Sequence, residues 1–408
     1  MTSVTLRRTL GSDDQAATPY LELPFDVSPA DQSVEVVLSY DTSNAVIDLG
    51  CIGAMGWRGW SGGAKSRFVI TATDASGGYL PGALEPGQWA VVLGLYKIPA
   101  IGVTVEVVIN TPSTMPVEAE PSAPPALTGP RPSAIRDFPA PPGNRWYAGD
   151  FHAHTLHSDG SLSIRQLASR SVRAGLDFLA VTDHNTVSHH SHLPGVSVEY
   201  GISLLPGQEI TTARGHANAY GSIPWVDFRE HPQTWVDVVA RNGGMLSLNH
   251  PVDGDCSWQW HLARKPTHVE IMHSSWQEAP QDTSIWAWWN AWGTRTIPLG
   301  GSDFHKPNDG VEVGTPTTWV WAPDPGHDSI LSAAIAGHTA LSMGTAARGP
   351  VLVRVDDELI AIDADGAIFL DIDGRRRMVT SSLQPIKDTG HGPYRLEGPD
   401  RRILAISA

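Results

Sequence analysis

The sequence predicts an α/β fold. A closed barrel of alternating strands and helices covers residues 146–348. A small antiparallel β domain (1–110) and a proline-rich linker (111–145) precede it, and a short β segment (349–408) follows. Three observations predict this layout. The chain has 408 residues, and single cores rarely grow past about 250–300. Residues 146–345 alternate strand-like apolar runs with helix-spaced ones, the pattern of a mostly parallel sheet with helices outside. Residues 1–110 hold β-branched and aromatic runs divided by glycine and proline clusters.

The elements follow in order. VEVVLSY (34–40), RFVITATD (67–74), WAVVLGLY (89–96) and VTVEVVIN (103–110) are the strands of the β domain, a sandwich or barrel without histidine. Residues 111–143 hold ten prolines, hence an extended, semi-rigid linker that lies along the protein surface or hangs free. WYAGDFHAH opens the barrel as a strand. Ser163 caps a helix with Ile164, Leu167, Ala168 and Val172 on its apolar face, and Gly175 ends it. Strands follow at DFLAVTDH (177–184), GISLLPGQE (201–209), HANAYGS (216–222), MLSLNHP (245–251), THVEIMHSS (267–275) and TIPLGGSDFH (296–305). Helices are expected over 232–242, over a stretch with Ile285, Trp288, Trp289 and Trp292 on one face, and over 329–337. DADG and DIDG mark turns in the C-terminal β segment.

Composition narrows the function. Charged residues are 17%, which suits a folded, well-buried chain. Acidic side chains outnumber basic ones 43 to 28, a formal charge of −15, so the footprint of a long nucleic-acid or anionic-membrane binder is missing. Two cysteines make no disulfide framework. Neither a signal-peptide stretch nor an 18-residue apolar run occurs, so a cytoplasmic chain without a membrane span is expected. Fourteen of the 17 histidines fall between His152 and His305. That crowding suits metal ligation or proton transfer at neutral pH.

Nearly every barrel strand ends in a metal-type donor. The segments are His152-Ala-His154 with Asp159 after it, Asp183-His184, Glu209, His216, His250 and Asp303-Phe-His305. Catalytic residues of α/β barrels sit at such strand ends. An HxH pair alone is weak, since His190-Ser-His192 also occurs in a loop-like stretch. In a strand, HxH puts both rings on one face. Histidine and carboxylate without cysteine suit zinc, manganese or iron. Asp183 orients His184, and Glu270 and Asn249 are candidates for holding the ligands in place. Trp258, Trp260 and Trp276 either wall an apolar substrate pocket or pack in loops.

The ordered set HAHTLHSDG (152–160), TDHN (182–185), GQE (207–209), GHANAYG (215–221), NHP (249–251) and SDFH (302–305) resembles the PHP (polymerase and histidinol phosphatase) superfamily. The β domain with YLPGALEPGQWAVVLGLY is similar, more loosely, to CehA/McbA-type metallohydrolases of that superfamily. The resemblance implies a distorted (βα)7 barrel holding two to three divalent ions. It implies His152, His154, Glu209 and Asp303 on the first, Asp159, His184 and His305 on the second, and Glu209, His216 and His250 on the third. Many members carry histidine at the SDG position, so His157 is the alternative to Asp159.

The expected activity is metal-dependent hydrolysis of a small phosphomonoester or phosphodiester through metal-activated hydroxide. Asp303 steers the proton, Glu209 bridges, and Arg214 or Lys306 meets the developing charge. The alternative is hydrolysis of an aryl carbamate or carboxyl ester. An amidohydrolase-type barrel is disfavoured because none of the five lysines stands at a convincing strand end, and a decayed scaffold because every ligand position is filled. The expected partner is a small-molecule substrate.

Overall fold

The computed structural model describes residues 2–129, 136, 138–277, 284–293, 295–387 and 392–407. Residues 130–135 and 137 of the linker lie outside them. The chain forms two compact units. The first contains Met1–Ser122 with two further segments, Thr155–Ser163 and Asp183–Ser191; the second contains the rest.

In the first unit the strands are β1 (Thr2–Leu10), β2 (Tyr20–Val27), β3 (Ser33–Ser39), β4 (Val46–Gly53), β5 (Gly56–Gly62), β6 (Arg67–Thr71), β7 (Gly87–Lys97) and β8 (Val103–Thr111), with a short helix α1 (Ser12–Ala17). They make two four-stranded antiparallel sheets, β1-β8-β3-β6 and β2-β7-β4-β5. Alternation along β8 sends Val103, Val105, Val107 and Ile109 inward and Thr104 and Glu106 to solvent. Those residues share one core with Leu23, Phe25, Leu49 and Val91 of the other sheet. Four strands go beyond the expected set. β2 carries Pro24, which an edge strand tolerates. β4 and β5 read as loop because of their glycines, yet a Cβ on Gly50 would stand 2.4 Å from the ring of buried Trp60. The glycines make room for that indole.

The second unit begins with β9 (Arg145–Asp150), α2 (Ile164–Arg173), β10 (Phe178–Val181), α3 (Leu193–Tyr200), β11 (Ser203–Thr212), β12 (Gly215–Tyr220), α4 (Pro232–Arg241), β13 (Met245–Leu248), β14 (His268–His273), α5 (Ser284–Trp292) and β15 (Ile297–Gly301). β16 (Thr317–Ala322), α6 (His327–Ile335) and β17 (Thr339–Ser342) follow. Neighbours pair parallel from β9 to β11 and from β13 to β15. β12 runs antiparallel to both its neighbours, because a two-residue turn at Ala213-Arg214 folds it straight back on β11. Phe151 N, just past β9, donates to Gly300 O within β15 (3.4 Å), and Asp303 N, past β15, to His152 O (2.9 Å), joining the β9 and β15 ends. The core sets Phe151 edge-on to Phe178 (5.2 Å) and Tyr220 (5.5 Å). No helix among the described residues is long and apolar enough to cross a membrane.

α2 buries Ile164, Leu167, Ala168 and Val172 as its spacing requires, and Gly175 follows at φ +86°. α5 corrects its expected face: Ile285, Trp286 and Trp289 are buried, while Trp288 and Trp292 stack on each other at the half-buried edge. Of the linker, the described residues from 123 onward belong to the second unit, where Tyr200 Oη donates to Pro124 O and Trp146 Nε1 to Pro139 O (both 2.8 Å). C-terminal strands are β18 (Val351–Val355), β19 (Glu358–Ile362), β20 (Ile368–Leu370), β21 (Arg376–Met378), β22 (Leu383–Ile386), β23 (Tyr394–Glu397) and β24 (Ile403–Ser407). Of these, β24, β23, β20 and β21 extend the large sheet from β17.

Candidate metal centre

β9 ends at Asp150, so His152 and His154 stand past the strand and not within it as expected. Extended geometry persists because a parallel bridge pairs Ala153 with Phe304. Both rings therefore still face one place. His152 Nε2 lies 3.1 Å from Asp303 Oδ1 and 3.3 Å from Glu209 Oε2. His154 Nε2 lies 2.9 and 3.4 Å from the same two oxygens.

The other oxygen of Glu209 serves a second group. Its Oε1 lies 3.1 Å from His216 Nδ1 and 3.4 Å from His250 Nε2. Asn249 Nδ2 donates to this oxygen (2.8 Å), and Asn249 Oδ1 accepts from Asn218 N, so the NHP and GHANAY segments fix one carboxylate from two strands. Thus His152, His154, Glu209 and Asp303 gather in one group, and Glu209, His216 and His250 in another.

Buried polar contacts hold these donors. Glu270 Oε1 meets His152 Nδ1 (3.0 Å), while its Oε2 accepts from His250 N (2.9 Å). Asp150, fully buried, accepts from His152 N, Ser302 N, Ser302 Oγ and Gly314 N. It ties the residues after β9 to those after β15. His250 and Asp303 have φ of +25° and +53°, a region L-residues enter rarely and most often at functional sites.

Electrostatics point to a cation. Burial favours a neutral His152 ring, but the charges of Asp303, Glu209 and Glu270 outweigh it and raise its proton affinity well above the ordinary value. His250 shifts the same way, burial being outweighed chiefly by Glu209. Burial pushes the Asp303 carboxyl up, yet His152, with His154, His273 and His305, holds it well below the carboxylate range. The buried His152 Nε2 and His250 Nδ1 make no hydrogen bond among the described residues. Imidazole nitrogens and carboxylate oxygens gathered without cysteine fit a borderline or hard divalent cation.

The remaining expected ligands divide between the units. Asp159 and His184 belong to the first, with His184 Nε2 3.5 Å from Asp159 Oδ1. There Asp183 accepts from Thr155 N, Thr155 Oγ1 and Ser158 Oγ, linking the two ligand-bearing segments. His305 belongs to the second, its ring stacked on His154 at 4.1 Å. Arg214 stands in the turn between β11 and β12. Its guanidinium covers Trp260 (4.0 Å) and donates to Gln259 O. Lys306 is exposed. Trp258 packs on Trp235 and donates to Trp260 O; the Trp276 side chain lies outside the described residues. Sequence reasoning passed over His273 as a donor, although it too ends a strand. Its Nε2 lies 3.4 Å from Asp303 Oδ2, and it groups with His152, His250 and Glu270.

No family model matches the chain. It is 38% identical over 63 residues to a 5'-3' exoribonuclease of Haemophilus influenzae, spanning 15% of this chain and 23% of that protein. It is structurally similar to a two-domain protein of Bacteroides vulgatus containing a predicted PHP-like metal-dependent phosphoesterase (TM-score 0.41, 16% identity, 68% of this chain and 91% of that one). It is also similar to an amidohydrolase of Chromobacterium violaceum solved with sulfate and no metal (TM-score 0.31, 15% identity, 40% and 90%).

Proposed function

We propose that the chain is a PHP-type metal-dependent hydrolase, built on a distorted (βα)7 barrel, that cleaves a small phosphomonoester or phosphodiester. The divided carboxylate of Glu209 carries this reading, since each oxygen faces its own pair of imidazoles. A carboxylate shared between donor sets is what a polynuclear hydrolytic centre needs. The reading gives His152, His154, Glu209 and Asp303 to one ion, Asp159, His184 and His305 to a second, and Glu209, His216 and His250 to a third. Zinc, manganese or iron suits these donors. When bound, such ions polarise the scissile group and make activated water available near neutral pH.

The chain's own residues do the rest. Glu270 holds His152 in the tautomer whose Nδ1–H donates to it, leaving Nε2 as a donor atom. Asn249 fixes the rotamer of Glu209. Asp303, with one oxygen toward His152 and His154 and the other toward His273, holds or passes the proton of the attacking water. Arg214, whose guanidinium covers Trp260, is the cation proposed to meet a substrate oxygen.

Metal-stripped protein reloaded with manganese or zinc and assayed on an aryl phosphomonoester, a bis-aryl phosphodiester and an aryl carbamate tests the reading. Turnover of a phosphate ester only with metal is expected. Turnover of the carbamate alone replaces this function with carbamate or ester hydrolysis, and full activity without metal ends it.

A further inference from the structure

The β unit looks chemically idle, yet it grips the segments that carry two of the proposed ligands. Thr155–Ser163 contains no helix or strand, and Asp183–Ser191 only the start of a 3-10 turn at His190–His192, so most of their backbone groups need outside partners. Lys65, between β5 and β6, supplies them. Its Nζ donates to Leu156 O (2.6 Å) and Ser158 O (3.1 Å), the second being the carbonyl just before Asp159. The Gly77-Gly78 turn supplies more. A Cβ on Gly77 would stand 2.6 Å from Leu156 O, and one on Gly78 2.9 Å from His157 O, so only glycine permits this approach. Gly78 also uses both its backbone groups on the other segment: its N donates to Ser188 Oγ (3.0 Å), and its O accepts from Thr186 Oγ1 (2.8 Å).

We infer that Lys65 is a positioning residue of the metal centre, holding Leu156 and Ser158 so that Asp159 stands against His184, with the Gly77-Gly78 turn fixing the same pair of segments. This rests on the metal-centre reading above. The geometry is placed for it, since its two acceptors lie either side of His157; burial disfavours the ammonium and lowers its pKa, and the charges of Asp183, Asp159 and Glu118 work against that. The β strands of the first unit then take part in placing Asp159 and His184.

Manganese titration of the full-length, metal-stripped chain, followed by the EPR signal of free ion alongside thermal melts, tests this. Wild type, Lys65→Met, Lys65→Arg and Asp159→Asn are compared. Asp159→Asn is expected to weaken one class of sites. Lys65→Met weakens that class by about 10–100-fold, the usual effect of removing a residue that orients a ligand, and leaves the Glu209 class unchanged; Lys65→Arg restores most of it. A Lys65→Met titration matching wild type overturns the role of Lys65. So does a parallel loss of all classes with the melting temperature, which marks a merely structural lysine. Should Lys65→Met not fold, Ser188→Ala carries the test, expected to weaken the same class; a wild-type titration then overturns the proposal. A wild-type chain that binds no manganese or zinc sinks the metal-centre reading instead.

Discussion

Glu209 and Glu35 are both buried carboxylates with opposite surroundings, and they respond differently to change. Glu209 faces four imidazole nitrogens. Glu209→Gln keeps its shape but removes the charge the donor sets share, so metal content should fall by elemental analysis. Asp303→Asn should lower kcat by about 10²–10⁴-fold, the range for losing a group that handles a proton; a kcat within twofold of wild type would remove Asp303 from the chemistry. Glu35 lies in the first unit. Burial raises its carboxyl pKa, but bonds from Thr114, Arg67 and Asn110 prevail and bring it down to about 2. A depressed pKa contributes stability that is present above the ordinary value near 4.5 and lost as pH falls toward 2. Glu35→Gln should therefore melt lower than wild type at pH 7, with the difference narrowing between pH 4.5 and 2.

At the element scale, β15 reaches the centre through glycines. A Cβ on Gly301 would stand 2.3 Å from Glu270 Oε1 and 2.4 Å from His152 Cβ. Gly301→Ala should cost about 1–3 kcal/mol by overpacking and weaken metal binding by turning Glu270 away from His152; denaturant melts and metal titration read the two effects. The sequence made β10, β11, β13, β14 and β15 legible because their apolar runs are short, bounded by turn residues and ended by donors. It left β4 and β5 hidden, because glycines that accommodate Trp60 look like loop. It also misjudged the frame of the HxH pair, since one bridge beyond a strand carries the same alternation as the strand itself. The face of α5 was misread because nearly every position of SIWAWWNAW is apolar, which leaves periodicity little to register.

For the whole molecule, crowded histidines mark the stretch in which the donor groups gather, while the supporting carboxylate of Asp150 is less visible. Glu270, in the strand THVEIMHSS, is legible as a support, whereas Asp150 belongs to no ligand motif and its bond to Ser302 spans 152 residues of sequence. Folding and metal binding should be coupled, since the ligands come from segments more than 100 residues apart. Manganese or zinc at about 100 times its dissociation constant contributes about 2.7 kcal/mol, and a rise of about 3–5 °C in melting temperature is expected by calorimetry; chelator should reverse it. The three-part make-up of the first unit has a consequence for biosynthesis. Its two sheets are complete in sequence at Thr111, but the segments they grip end only at Ser191. A nascent chain thus exposes the acceptor-seeking Lys65 and the Gly77-Gly78 turn on the ribosome until about half of the polypeptide has emerged, and a fragment cut at the linker would carry that unfilled surface permanently.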